Sequence, residues 1–144
     1  MAATSESTTV WHGDLVSGAG TVTLDSSGAA SMAVNWKARA EGTSGAGAVS
    51  TPEELLGAAH SSCFSMAFSN ALAKAGTPPE SLQTTAAVTF DPAEGITGSH
   101  LLVSAIVPGI DEADFQRIAE EAKADCPVSR ALAGIPITLE ASLA

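Results

Sequence analysis

The sequence predicts an α+β domain, and three observations carry the prediction. Short runs rich in β-branched residues, broken by Gly, Ser and Asp, occupy the first third of the chain. A stretch opening at Pro52 then holds no helix breaker except Gly57 until Gly76. Strand-like runs return after it, followed by two shorter helical segments and a last alternating run. The order βββ–α–ββ–αα–β groups like elements together, which is the pattern of an α+β fold and not of a doubly wound sheet.

Residues 8–16, 20–25 and 30–36 read as strands, and Thr21-Val-Thr-Leu-Asp25 alternates as a half-buried strand does. Residues 42–50, GTSGAGAVS, read as a flexible loop. Thr51 is placed to cap the long helix, with Pro52 at the first position and Glu54 completing a capping box. At 1.5 Å per residue, the helix over 52–75 spans roughly 36 Å. No charged residue falls between Leu55 and Ala73, so the expectation is a helix buried on every side. Strands are expected over 82–91 and 99–108, joined by a turn over 92–98. Asp111 caps the next helix, whose apolar stripe is Phe115, Ile118, Ala119 and Ala122. Cys126-Pro127 opens a short helix to about residue 133, and residues 135–143 alternate as a final strand.

The 144 residues are enough for one domain spanning 1–144, with little chain left for a second. Six basic against sixteen acidic residues give a net charge of −10. That balance argues against nucleic acid or an anionic membrane as partner, because both require a basic footprint. No run approaches the length of a membrane span, and residues 1–10 lack the basic and apolar regions of a secretory signal. The expectation is therefore a soluble cytoplasmic protein. Its apolar content is mostly small, with six aromatic residues and no Tyr, and such a chain gains stability readily by sharing a core with a partner.

Two cysteines are too few for a disulfide scaffold. In a reducing compartment they are inert core residues, metal ligands or redox groups, and the residues alone leave all three open. Cys63 lies mid-helix among His60, Ser61, Ser62 and Ser65, polar decoration that a purely packing thiol does not need. Cys126 precedes Pro127 at a helix start, where orphan N–H groups favour a thiolate, so the helix dipole alone marks Cys126 as the more acidic thiol. His60 and Cys63 share a helix face and Cys126 could add a third ligand, but no fourth ligand is paired with them, and no metal site is expected. Glu53 and Glu54 suit a helix N-terminus in any case, and Arg39, one of three arginines, reads on its own as a solvated charge at a strand end.

The segments Thr51-Pro-Glu-Glu-Leu-Leu-Gly-Ala-Ala-His-Ser-Ser-Cys-Phe-Ser-Met-Ala67, Ala124-Asp-Cys-Pro-Val-Ser-Arg130 and Trp11-His-Gly-Asp14 resemble the OsmC/Ohr family, its osmotically inducible branch more than its organic hydroperoxide resistance branch. The likeness runs in order over nearly the whole chain. The resemblance implies antiparallel sheets wrapped around a long buried core helix, and a thiol peroxidase acting in stress defence that reduces organic hydroperoxides faster than hydrogen peroxide. It implies Cys63 as the peroxidatic thiol, Cys126 as the resolving thiol that closes a disulfide with it, Glu53 as the catalytic acid and Arg39 as the activating cation. It implies no bound cofactor, and recharging by an external dithiol, lipoyl-type or other. Set against this is a non-catalytic stress or ligand-binding protein on the same fold, in which both thiols would be unreactive.

The implied roles fit elementary chemistry. Attack on a peroxide needs a thiolate and hence a nearby cation. Arg is always protonated and presents a planar fork, which Glu53 can hold while handling a proton. Glu53 and Cys63 lie ten residues apart on one predicted helix, roughly 15 Å of rise, so they cannot meet within one chain. If both serve one site, two copies must pair as an intertwined homodimer with composite sites.

Overall fold

The computed structural model describes all 144 residues, which form two compact units, residues 1–55 and 56–144. Composition gives no sign of this division, because the boundary falls inside the long helix.

The first unit holds a four-stranded sheet. β1 (Ser7–His12), β2 (Ala19–Leu24) and β3 (Ser31–Val34) run antiparallel in order, and the two-residue β4 (Val49–Ser50) pairs with β3 in parallel. In the turn between β1 and β2, Asp14 accepts bonds from both the backbone N–H and the hydroxyl of Ser17, each at 2.7 Å. Gly20 on β2 leaves room for the Trp11 ring, since a Cβ there would stand 2.8 Å from it. The strand expected over 30–36 stops at Val34, and residues Trp36–Glu41 form a helix, α1. Asn35 cuts the strand: its side chain accepts the Ala38 N–H at 2.8 Å as an N-cap. Gly42 closes the helix at φ 93°, a conformation that suits glycine. Arg39 is thus a helix residue and not a strand-end charge. Six residues are too few to show a helical period in sequence, which is why the strand reading extends to Trp36 and residues 37–41 show no helix signal.

The long helix, α2 (Pro52–Lys74), begins in the first unit and continues into the second. Thr51 caps it, its hydroxyl accepting the Glu54 N–H at 3.1 Å, while the Glu54 carboxylate takes the Ser50 hydroxyl at 2.9 Å. Within the second unit follow β5 (Ser81–Asp91), β6 (Gly95–Ile106), α3 (Glu112–Asp125), α4 (Pro127–Ala131) and β7 (Ile137–Leu143). β5 and β6 form a long antiparallel hairpin with a bulge at Thr89/Phe90. Its turn is tighter than residues 92–98 suggest, because the Asp91 side chain captures the N–H groups of Ala93 and Glu94. β7 pairs with β6 in parallel. The expectation of purely antiparallel sheets is therefore corrected: both sheets are mixed, and in this one the α3–α4 connection returns the chain in the direction of β6.

The core cluster lies wholly in the second unit. Phe64, Phe68 and Leu72 of α2 meet Leu101, Val103 and Ala105 of β6 and Phe115, Ile118, Ala119 and Ala122 of α3. The Phe68 ring centroid stands 5.4 Å from Phe64 and 5.5 Å from Phe115. Gly57 earns its place in mid-helix by close approach, since a Cβ there would come within 2.9 Å of the Ala86 carbonyl oxygen on β5. In the single chain α2 is buried on one face only. Gly57, His60, Phe64, Phe68 and Leu72 point inward at helical spacing, while Ala58, Ala59, Ser62, Met66 and Asn70 are exposed, Met66 at 70%. Burial on every side, expected from the absence of charge, is not what one chain achieves. No helix is long and apolar enough to cross a membrane.

Candidate active site

The chemistry-bearing residues fall into two pairs, one in each unit. In the second unit, α2 carries Cys63 and the junction of α3 with α4 carries Cys126. Pro127 fixes that junction: it disfavours helical backbone at the residue before it, so Cys126 ends α3 and caps α4, with Pro127 in the first turn. Both thiols are free. Cys63 is partly exposed, whereas Cys126 is fully buried.

The two thiols are neighbours: Cys126 is among the groups acting on the Cys63 thiol, and both border the same apolar cluster. The backbone N–H of Val128, in the first turn of α4, acts on the Cys63 thiol in the direction that favours the thiolate. The first turn of the short helix therefore acts on Cys63 as well as on the cysteine that caps it. Burial pushes the Cys63 thiol above its ordinary range, the Val128 N–H pulls the other way, and Cys126 beside it adds to the rise. No Lys or Arg is among the groups acting on it.

In the first unit, Arg39 of α1 and Glu53 of α2 form the second pair. Arg39 Nε and Nη2 both donate to Glu53 Oε1, at 3.1 and 2.9 Å. The Glu53 side chain is nearly buried at 7% exposure, whereas that of Arg39 is one-third exposed at 32%. The guanidinium is thus held by a carboxylate and still open to solvent. It lines a cavity of about 340 Å³ walled by Trp11, Val22, Val34, Trp36 and Leu55. Such a lining suits an apolar group close to a cation. The sequence reading named all four residues, and the structure brings Cys63 to Cys126 and Arg39 to Glu53.

It left the role of His60 open and did not single out Ser99 or Ser129. His60 is fully buried, its Nδ1 2.7 Å from Ser99 Oγ on β6 and its Nε2 2.8 Å from Ser129 Oγ on α4. Burial lowers its pKa, keeping the imidazole neutral near pH 7. With both ring nitrogens taken by hydroxyls, His60 is not presented to a metal with Cys63 and Cys126, and no group of three His, Cys, Asp or Glu side chains is arranged to hold one. A signal for the histidine existed in sequence: His60 precedes Cys63 by three residues, and Ser129 follows Cys126 by three.

Comparison with known proteins bears on the family and the fold. Residues 45–140 match the model of the family described as OsmC-like protein. The chain is 43% identical over 136 residues to the Peroxiredoxin OsmC of Escherichia coli K12, covering 92% of each, and equally to that of Shigella flexneri. Among solved structures it superposes on the organic hydroperoxide resistance protein OhrB of Bacillus subtilis with a TM-score of 0.72 at 20% identity, covering 96% of this chain and 98% of that one. An organic hydroperoxide resistance protein from Elizabethkingia anophelis gives a TM-score of 0.70 at 24% identity, with 100% and 99% covered. These two structural likenesses bear on the fold.

Proposed function

The chain belongs to the OsmC-like protein family, and from that premise we propose that it is a cysteine-based peroxidase that reduces organic hydroperoxides, and hydrogen peroxide more slowly, in the cytoplasm. The observation that carries the reading is the pair of adjacent free thiols, one of them partly exposed.

The Cys63 thiolate attacks the terminal peroxide oxygen, the O–O bond breaks, and the alkoxide leaves as an alcohol after taking a proton. Cys63 is left as a sulfenic acid. The Cys126 thiol displaces its hydroxyl as water and closes the Cys63–Cys126 disulfide. An external dithiol then reduces that bond by exchange, so two electrons pass from dithiol to peroxide in each cycle. The protein needs no bound cofactor for any of these steps.

Cys63 alone is a poor thiolate, since burial raises its pKa and no cation acts on it. Arg39 is suited to supply the missing charge and Glu53 to hold the guanidinium and deliver the proton. Ten residues of helix separate Glu53 from Cys63 of the same chain, so in this reading the pair comes from a second copy. The exposed face of Ala58, Ala59, Ser62 and Met66, with no charge on it, is the surface such a copy would cover. The Trp11 and Trp36 walls beside Arg39 favour a hydroperoxide with an apolar body.

Peroxide consumption with a dithiol reductant, comparing cumene hydroperoxide with hydrogen peroxide, tests the reading. Fast loss of the organic peroxide is expected, and Cys63→Ser should reduce it by at least about a thousandfold. Turnover that survives Cys63→Ser would rule the assignment out.

A further inference from the structure

We propose that His60 is a positioning residue for the disulfide-closing step, holding the Cys126 turn in register with Cys63 through Ser129. The inference rests on the peroxidase reading for its place in a cycle, but the geometry stands without it. His60 and Cys63 are three residues apart on α2, and Cys126 and Ser129 are three residues apart across the start of α4. Residues at this spacing share a helix face. The two segments are thus joined by two parallel rungs, His60 Nε2 to Ser129 Oγ at 2.8 Å and the Cys63–Cys126 thiol pair.

The first rung is rigid. The His60 ring is fully buried and pinned from behind by Ser99 on β6, itself 2% exposed, at 2.7 Å. Ser129 is also buried, at 6%. The second rung needs such support. α4 has five residues and its N-cap, Cys126, makes no side-chain capping bond, so its first turn is fixed internally by backbone bonds alone, such as Arg130 N–H to the Cys126 carbonyl at 3.0 Å. Closing the bond requires sulfur atoms to reach about 2.05 Å with a narrow torsion, and displacement of the turn removes that alignment. In the closing step the Cys63 S–O bond breaks, the S–S bond forms, and hydroxide leaves with the Cys126 proton as water. His60 touches none of these atoms.

The test equilibrates the full-length protein with reduced and oxidised glutathione and reads the effective concentration of the Cys63–Cys126 disulfide by mass. Here two thiols reduce one oxidised glutathione to two reduced molecules, so no peroxide chemistry is involved. Ser129→Ala is expected to lower the effective concentration about tenfold, as loss of one buried tether should. His60→Asn keeps a polar atom near Nδ1 only and should fall with it. His60→Gln reaches the position of Nε2 and should stay within about threefold of wild type. A merely structural histidine predicts otherwise: Ser99→Ala and Ser129→Ala would lower Tm alike and leave the effective concentration unmoved, and that result overturns the inference. Should the His60 variants fail to fold, Ser129→Ala alone decides. If wild type consumes no peroxide while Ser129→Ala still weakens the disulfide, the positioning role stands and the peroxidase reading falls.

Discussion

The two ends of the chemistry on α2 are built from opposite materials. Its first turn, in the first unit, has charge and no nucleophile: Glu53 grips Arg39 beside an aromatic-walled cavity. Three turns further on, in the second unit, Cys63 and Cys126 sit near a neutral histidine, and no basic side chain is among the groups acting on Cys63. Packing differs in the same sense. The second unit owns the core cluster, whereas the only buried apolar residues of the first are Val22 and Ala38, and all of β1 is exposed. A nucleophile packed against a dense core and partly buried is held toward the protonated thiol until charge is brought to it. A charge held at a sparse, solvated surface is inexpensive to maintain and has nothing to activate. The division explains why neither pair, taken alone, looks like a finished peroxidase site.

The largest expected effect tests the packing side of that contrast. Phe68→Ala empties the centre of the core and should cost about 3–5 kcal/mol, whereas Val22→Ala on β2 should cost about 2 kcal/mol at most. Urea unfolding of the two variants measures both, and equal losses would break the comparison.

The charge side comes next. Arg39→Ala should slow oxidation of Cys63 by cumene hydroperoxide about thirtyfold, and Arg39→Lys should restore little, because a point charge does not reproduce the planar fork. Mixing Arg39→Ala with Cys63→Ser subunits should recover about a quarter of wild-type activity if the pair serves the thiol of a second copy, since half of randomly mixed dimers carry one intact site of two. No recovery on mixing would place both groups in one chain.

The smallest effect belongs to His60. Its folded pKa is lowered by burial, so the unfolded chain binds the extra proton first as pH falls. The stability involved is fully present above the unfolded value near pH ~6.5 and is lost as pH drops below it, with a slope of at most about 1.4 kcal/mol per pH unit. Unfolding curves from pH 7.5 to 5 should show this loss, and it should be absent in His60→Gln.

Much of this architecture was legible from residue order. Pro52 with Thr51 and Gly76 set the limits of α2, Asp111 with its apolar stripe set α3, and Pro127 forced the break at which Cys126 lies. These are local rules, in which a side chain acts on backbone groups within one turn of itself. α1 escaped because its two signals, Asn35 and Gly42, bracket too few residues to carry a period. The parallel partners β4 and β7 escaped because pairing direction depends on where a connection delivers the strand and not on the strand's own residues.

What the sequence determined by itself was the inventory: an acidic α+β chain, its long uncharged helix, two thiols of which one precedes a proline, and the motif of its family. Tertiary structure alone decided the pairings and their consequences. It set Arg39 on Glu53, brought Cys126 beside Cys63, buried Cys126 and tied His60 between two serines. Each of these joins residues from different elements, and burial together with hydrogen bonding across elements depends on how those elements pack, which no local pattern encodes.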